Sequence, residues 1–386
     1  MKKLITNNKI VKRKLELVNF PLKKKEFEKQ EIQINGKNLI NLSSNDYLGL
    51  SKNKNIIKKA MEWNNLYGNS SSSSRLITGN FEKLVELEKK FSSKINHQKT
   101  LVLGNGFLLN STVIPTITGN NLGQRNKFYI FSDKFNHASI NYGNLLTKQK
   151  VFRYNHLDLE HLEFLLKKTN KSTNKLIVSE TLFSMDGDFV DLKSIRFLAK
   201  KYNCILYLDD AHAFGIYGKD GFGYTTIGEK LEKEIVVGTF SKAVGSYGAF
   251  VSCSKFFYDL IVDKCPGLIY STALPPSIIG SIDESLKIFP KINNLRKKLI
   301  DNSHALIKQL KETKYNTGNS CSHIIPIIFN QFDDCQKLKE KLAQNSFYIK
   351  SIRHPTVPVS SPRLRLSLTA IINEKIIKKL LKSFQK

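Results

Sequence analysis

An acid and a lysine follow two apolar runs of the chain, in positions where they could do chemistry together. Asp209 comes directly after Ile205-Leu206-Tyr207-Leu208, and Lys242 comes shortly after Ile235-Val236-Val237. Such runs are typical of buried strands, and open α/β sheets usually bind ligands at the carboxyl ends of their strands. An acid for a pyridinium nitrogen and a lysine for an aldehyde are the groups that pyridoxal 5'-phosphate (PLP) requires. The pair therefore predicts a PLP site.

Both residues also have an ordinary structural explanation. In a chain with 61 Lys and Arg residues, a single lysine is most often a surface residue, and an aspartate after a strand is often a helix N-cap. The residues next to Asp209 and Lys242 favour a cofactor site over these structural explanations. Small residues such as Thr239 and Ser241 precede Lys242, Ala211 is small enough to lie flat against a ring, and His212 could donate a hydrogen bond to a phenolic oxygen.

Further candidate ligands for the cofactor lie in other loops. His137 could stack on a ring, although a satisfied loop histidine is the simpler explanation. Gly106 and Phe107 follow a strand and begin an apolar helix, where free backbone N–H groups suit a phosphate. In the segment 179–188, Ser184 could reach the cofactor, although the Asp-Gly pair in that segment is also typical of a simple turn.

Two arginines form a candidate carboxylate site. Arg363 and Arg365 alternate with leucines on a predicted strand, so both side chains should point to one face. A guanidinium can bind a carboxylate through two parallel hydrogen bonds, and surface-facing arginine is the alternative.

The elements that must position these residues alternate along the chain. From about 50 to 285, apolar strand candidates alternate with helical patterns, which predicts an α/β fold with a mainly parallel sheet covered by helices. Residues 286–386 change pattern and predict a smaller α+β C-terminal domain. We expect residues 1–48 to form a basic helical arm and a hairpin that turns at Asn35-Gly36,, and residues 49–285 to form the PLP-binding large domain.

Taken together, these residues resemble the α-oxoamine synthases, a branch of the fold-type I PLP enzymes, whose large domain is similar to that of aspartate aminotransferase. The resemblance begins at about Asn41 and runs to the end of the chain. The segments that carry it are Asn41–Leu50, Phe183–Asp188, Asp209–His212, Leu268–Pro276, Pro355–Pro358 and Arg363–Ala370.

The resemblance implies roles for the site residues. The catalytic set would be Lys242 as the Schiff-base lysine, Asp209 at the ring nitrogen, His137 stacked on the ring, and His212. Further cofactor contacts would come from Gly106, Phe107, Glu180, Ser184 and Thr239. Ser271 and Thr272 would serve the phosphate of a second subunit, which implies a homodimer. Substrate contacts would come from Asn45, His137, Thr356 and Arg365.

The family catalyses decarboxylative condensation of an amino acid with an acyl thioester, and the motifs are most like its biotin-pathway branch. That branch implies L-alanine and a pimeloyl thioester of CoA or acyl carrier protein. Glycine with acetyl-CoA or succinyl-CoA, and serine with palmitoyl-CoA, are the rival substrate pairs. The chain departs from the family at Leu84, at the serine run Ser70–Ser74, and at a substrate arginine that Lys12, Arg13 or Lys14 would have to replace.

Composition limits the other classes of function. The formal charge is +28, and a basic nucleic-acid or membrane-surface binding protein is the alternative from another class. However, the basic runs are short and scattered, and no aromatic-interleaved basic motif occurs. No apolar run approaches the roughly 20 residues of a membrane span, and the N-terminus lacks the apolar region of a signal peptide. Five scattered cysteines without CxxC spacing predict reduced thiols in a cytoplasm and no metal site.

Overall fold

The structure is a computed structural model that describes residues 16–20, 30–119 and 127–385. In this part of the chain the strands are β1 (Glu31–Ile34), β2 (Lys37–Asn41), β3 (Lys99–Leu103), β4 (Phe128–Asp133), β5 (Lys150–Tyr154), β6 (Asn174–Glu180), β7 (Ile205–Asp209), β8 (Glu234–Thr239), β9 (Ala249–Cys253), β10 (Ile324–Ile328), β11 (Phe347–Tyr348), β12 (Lys350–Ile352) and β13 (Arg363–Ser367). The α-helices are α1 (Lys54–Tyr67), α2 (Glu82–Lys94), α3 (Gly106–Ile117), α4 (Ala138–Leu146), α5 (Leu159–Lys167), α6 (Leu192–Lys201), α7 (Lys255–Lys264), α8 (Pro266–Ile269), α9 (Pro276–Ile288), α10 (Asn293–Lys311), α11 (Phe332–Gln344) and α12 (Glu374–Gln385).

A seven-stranded sheet forms the centre of the larger part of the molecule. The strand order is β3-β9-β8-β7-β6-β4-β5, and only β9 runs antiparallel to its neighbours among these strands. The prediction of a mainly parallel sheet is therefore confirmed. Helices cover both faces, so the middle strands are buried throughout and appear in the sequence as continuous apolar runs.

The C-terminal part contains a three-stranded sheet in the order β10-β13-β12. Helices α10 and α11 lie against this sheet, and α12 packs on α10 and α11. The segment Tyr348–Ile352 does not form one continuous strand. The chain changes sheets at Ile349: β11 pairs with β2, whereas β12 pairs with β13. A periodic pattern in one segment cannot reveal that two different partners divide it.

The predicted hairpin forms around Asn35-Gly36, and it joins the C-terminal part through parallel pairing of β2 with β11. Backbone hydrogen bonds extend this contact, because Ser367 N donates to Leu42 O at 2.7 Å and Ala370 N donates to Tyr47 O at 2.8 Å. The division at residues 48 and 285 stays a prediction. Most of the basic arm, including Lys12, Arg13 and Lys14, lies outside the described residues. In the described part, no helix combines the length and apolarity needed to cross a membrane.

Candidate active site

A cavity of about 280 Å³ lies at the carboxyl ends of the central strands. Glu180 ends β6, Asp209 ends β7 and Thr239 ends β8, so the two strands predicted before Asp209 and Lys242 are present. The cavity brings together eight of the residues that the sequence singled out: Gly106, Phe107, His137, Glu180, Asp209, His212, Thr239 and Lys242. Their roles toward a ligand stay predictions, but their convergence on one cavity is a property of the fold.

Lys242 lies on the tight loop between β8 and β9. Gly245 N donates to Lys242 O at 2.9 Å, and Gly245 has a φ of +70°, where an added Cβ would lie 2.2 Å from Ser51 N. Only glycine fits this close approach of two backbones. The loop places Lys242 Nζ 2.9 Å from His212 Nε2, and burial is the main cause that lowers the pKa of Lys242 to about 8.

His212 connects the lysine to the N-terminal segment. Burial, then the positive charges of Lys242 and Arg365, hold the pKa of His212 well below its ordinary value, so the ring is neutral. If Nε2 accepts from Lys242, Nδ1 carries the proton and donates to Tyr47 Oη, 2.7 Å away. The Tyr47 hydroxyl in turn donates to Asn45 Oδ1 at 3.0 Å. With this tautomer, each hydrogen bond from Lys242 through His212 and Tyr47 to Asn45 has one donor and one acceptor.

Asp209 is a buried carboxylate held by neutral donors. Asn110 Nδ2 donates to Oδ2 at 2.8 Å and Ala211 N donates to Oδ1 at 3.0 Å. Among the described residues, no Lys, Arg or His side chain lies within ion-pair distance of Asp209. Tyr207 Oη fixes the Asn110 amide by donating to Oδ1 at 2.7 Å. A carboxylate oriented in this way is prepared for a cation from a ligand.

Asn110 is a residue that the sequence reasoning missed. It lies on α3 and is 2% exposed, within a helix whose other residues are mostly apolar. A polar side chain on the buried face of such a helix must find a partner, and this could have identified it.

Groups that could bind an anion also line the cavity. The first N–H groups of a helix have no intrahelical acceptor, and Asn105 caps α3 by accepting from Leu108 N. Gly106 N and Phe107 N have no acceptor among the described residues. Thr239 and Ser241 line the same cavity with their hydroxyls 2.7 Å apart, and Thr239 Oγ1 also donates to Gly248 O at 2.9 Å. Ser241 did not figure among the expected ligands.

Glu180 ties two segments of the site together. Its carboxylate accepts from His137 N at 2.6 Å and from Ser184 N at 3.3 Å, and burial followed by the charge of Asp209 raises its pKa to about 8. His137 begins α4 as its N-cap, and its ring lines the cavity. Burial lowers the pKa of His137, so its imidazole ring is neutral and could stack on a flat ligand.

Arg365 is not part of the cavity lining and is 6% exposed. Its Nε donates to Ser184 O at 2.5 Å, Nη1 donates to Asn45 Oδ1 at 3.1 Å, and Nη2 donates to Tyr47 Oη at 3.3 Å. In the described part of the chain Arg365 forms no ion pair, in contrast to Arg363, which pairs with Asp186 at 2.6 Å. The expectation that both arginines lie on one face is confirmed.

Six predicted site residues lie outside the lining of this cavity: Asn45, Ser184, Ser271, Thr272, Thr356 and Arg365. Ser184 and Thr356 line a second cleft of about 710 Å³, which shares His137 with the first. Ser271 and Thr272 line neither.

The serine run Ser70–Ser74 supports the segment that carries Ser271 and Thr272. Ser74 pairs with Thr272 in an isolated bridge, and Ser73 O accepts from Ala273 N at 2.9 Å. The run is therefore a structural support for the segment that follows Tyr270.

The cavity fits PLP on the chemistry of its lining. A phosphate would match the two N–H groups at the start of α3 and the hydroxyls of Thr239 and Ser241 after β8, and a ring nitrogen would match Asp209, which has no ion-pair partner among the described residues. Lys242 lies in the same cavity with a lowered pKa, as an aldehyde-binding amine requires.

Comparison with known proteins agrees with this chemistry. The family model for aminotransferase class I and II matches residues 37–384. A protein of Paramagnetospirillum magneticum is 36% identical over 91% of this chain and 88% of its own length, and one of Magnetococcus marinus is 38% identical over 87% and 85%. Both bear the name "Putative 8-amino-7-oxononanoate synthase".

Solved structures show the same fold. Serine palmitoyltransferase from S. paucimobilis, solved with a bound PLP–myriocin adduct, superposes with a TM-score of 0.86 at 28% identity, over 92% of this chain and 88% of that one. The 8-amino-7-oxononanoate synthase of Francisella tularensis gives 0.76 at 26% identity, over 89% and 96%. The expected fold type I, the PLP cofactor and the α-oxoamine synthase resemblance are confirmed, and with them a PLP-dependent acyltransferase. The chain belongs to the aminotransferase class I and II family.

Proposed function

We propose that the protein condenses L-alanine with a pimeloyl thioester, of CoA or of acyl carrier protein, to give 8-amino-7-oxononanoate, CO2 and the free thiol in biotin biosynthesis. The observation that carries the proposal is the placement of Lys242, with its lowered pKa, in one cavity with Asp209 and close to Arg365, a buried arginine that has no carboxylate partner in the described part of the chain. The names of the curated relatives support the choice of substrates.

PLP bound in the cavity would supply an electron sink for the negative charge that develops beside the amino nitrogen of the substrate. Asp209 would keep a proton on the ring nitrogen, because Asn110 and Ala211 N already orient its oxygens. Gly106, Phe107, Thr239 and Ser241 would bind the phosphate.

Lys242 would then remove and return the proton at the α-carbon. A pKa of about 8 leaves roughly a quarter of the amine neutral at pH 7.5, so a base is present without a large energetic cost. His212 accepts from Nζ at 2.9 Å and would hold the freed amine in place. His137 would cover the other face of the ring.

Arg365 and Asn45 would bind the carboxylate of the amino acid. A buried guanidinium without a carboxylate partner is costly, and an amino-acid carboxylate would supply the missing charge. The hydrogen bond between Arg365 Nη1 and Asn45 Oδ1, at 3.1 Å, places both groups at one position.

The second cleft would take the acyl thioester. It begins at His137 and Ser184 next to the cofactor cavity, and it includes Thr356 and the cationic side chains of Lys134 and Arg153. Cations at the cleft suit a chain that ends in a carboxylate, or the phosphates of a thioester carrier. A long apolar acyl chain would gain nothing from them.

A homodimer would complete the phosphate site. Ser271 and Thr272 are absent from the lining of the cavity, while Tyr270 beside them is 80% exposed and Phe107 at the cavity is 50% exposed. Apolar residues at such exposure suit a subunit interface, across which Ser271 and Thr272 would reach the partner's cavity. Five cysteines without disulfides fit a reducing compartment such as the cytoplasm.

A second candidate function uses other substrates with the same chemistry. The TM-score of 0.86 to serine palmitoyltransferase supports serine with palmitoyl-CoA, and glycine with acetyl-CoA or succinyl-CoA is a further pair. The decisive experiment adds L-alanine, glycine or L-serine to the PLP-loaded protein, each with pimeloyl-CoA, palmitoyl-CoA, acetyl-CoA or succinyl-CoA, and measures CO2, free thiol and product mass. We expect turnover with L-alanine and pimeloyl-CoA. Turnover with another pair, and none with this one, would overturn the proposal.

A further inference from the structure

His156, in the loop between β5 and α5, lies between two aspartates that the proposed reaction does not use. Its Nδ1 lies 3.0 Å from Asp133 Oδ1 and its Nε2 lies 3.2 Å from Asp188 Oδ2. The ring packs between Phe135, at 4.6 Å between ring centroids, and the edge of Phe183, at 4.4 Å. The histidine ring is therefore held by residues of two other segments.

The geometry determines the protonation state of this ring. An ionised carboxylate only accepts hydrogen bonds, and a neutral imidazole donates from one nitrogen only. Both contacts are made together only if the ring is an imidazolium. Asp188 is buried, and its Oδ1 has no hydrogen-bond partner among the described residues, so the ring supplies the positive charge that it needs.

The two aspartates belong to the turns that carry site residues. Asp133 ends β4 and accepts from Phe135 N at 2.7 Å, which shapes the turn leading to His137. Asp188 O accepts from Phe183 N at 3.0 Å, which closes the turn that contains Ser184. Ser184 in turn accepts from Arg365 through its carbonyl oxygen.

We propose that His156, as an imidazolium, is a positioning residue that locks together the turns carrying His137 and Ser184. The lock would hold the face of the cofactor cavity at a fixed distance from the carboxylate-binding arginine. This goes beyond the proposed reaction, because the lock does not depend on which acyl substrate is used.

The pH dependence of the lock follows from the groups around the ring. Burial alone would lower the pKa of His156, but the hydrogen bonds and charges of Asp133 and Asp188 outweigh it and raise the pKa to about 9. Tyr154, near Asp133, and Cys321, near Asp188, also have raised pKa values because of burial, so neither adds charge near neutral pH.

The stability that the lock contributes depends on pH, because proton binding by His156 is linked to folding. The pKa is higher in the folded chain than the ordinary 6.5, so the lock stabilises fully below about pH 6.5. Its contribution is lost as the pH rises through about 9.

Histidine-selective 15N NMR of the PLP-loaded protein tests the charge without using activity. The His156 signal, identified by its loss in His156→Asn, should show both nitrogens protonated at pH 7.5 and a midpoint near 9. Asp188→Asn should lower that midpoint by at least about one unit. The matched control is Asp191→Asn, three residues along and bonded to Ser194 instead, which should leave it unchanged. A neutral His156 ring at pH 7.5 in the unmodified chain would overturn the proposal.

Positioning is tested by the circular dichroism of the bound cofactor at pH 7.5, with far-ultraviolet spectra to show that each variant is folded. A folded His156→Asn should show a changed cofactor band and a several-fold weaker affinity for L-alanine, while Asp191→Asn should match the unmodified protein. An unchanged cofactor band in folded His156→Asn would refute the positioning role. If L-alanine proves not to be the substrate, the cofactor band and the NMR midpoints still decide the question.

Discussion

Nζ of Lys242 lies 2.9 Å from Nε2 of His212, and the pKa of each group is lowered by burial. The lysine is thus paired with a neutral acceptor instead of a carboxylate. An ion pair with Asp or Glu at this distance would stabilise the ammonium form and remove the base. The contact with His212 orients the amine and leaves its pKa close to the pH at which the enzyme must use it.

The first prediction concerns the rate at which the apoprotein takes up PLP. The neutral amine of Lys242 reacts with the aldehyde, so the rate should rise about tenfold per pH unit below pH 8 and become constant above it. Stopped-flow absorbance between pH 6 and 9.5 measures this. A rate that is the same at pH 6 and pH 8 would show that the amine is not the limiting group.

Replacing Lys242 with Ala should lower turnover by at least about 10⁴-fold, because covalent attachment and proton transfer are lost together. The visible absorbance of the attached cofactor should disappear as well. Lys230→Ala is a matched control, since burial also lowers the pKa of Lys230 to about 8 but Lys230 is not in the cavity lining. Activity in Lys242→Ala comparable with that control would exclude the assigned role.

Arg365→Lys should raise the KM for L-alanine about 10- to 100-fold, the equivalent of losing one or two hydrogen bonds to a charged group. Lysine keeps the charge but not the planar pair of donors. The KM for the acyl thioester is the internal reference and should change little, because Arg365 does not line the second cleft. Equal changes in both KM values would indicate a general loss of structure instead.

Hybrid dimers test whether Ser271 and Thr272 act across the subunit interface. Lys242→Ala subunits are mixed with subunits that carry Ser271→Ala and Thr272→Val, each inactive or weak alone. If the two residues serve the partner's cavity, each hybrid contains one complete site and activity returns to about half that of the unmodified dimer. No recovery, in a mixture shown by mass to contain hybrids, would mean that they act within their own subunit.

Much of the site could be predicted from the sequence because it depends on strand ends. Asp209 ends β7, and Lys242 follows β8 on a neighbouring strand of the same sheet, so two apolar runs were enough to bring them together. The start of α3 at Gly106 could also be predicted from a local pattern, a strand followed by an apolar helix. The family resemblance then supplied roles that spacing alone left open, such as those of Thr356 and Ser271.

Other parts of the site depend on contacts between distant segments, and no local pattern reports them. Tyr47 meets His212 across 165 positions, and Arg365 meets the Ser184 carbonyl across 181. His156 gave no signal, because one histidine in a loop does not reveal two aspartate partners. The pairing of β2 with β11 was hidden for the same reason, since each strand has a pattern that many partners would satisfy.

The residues proposed to hold the two ends of the amino acid belong to different sheets. Asn45 follows β2 and Arg365 lies on β13, in the three-stranded sheets, whereas Asp209 ends β7 and Lys242 follows β8 of the central sheet. An amino acid bound as proposed would therefore be held at its carboxylate by one set of strands and at its nitrogen by another. The carboxylate contacts would then help to place the α-carbon against Lys242, so an amine that lacks the carboxylate should lose turnover as well as affinity.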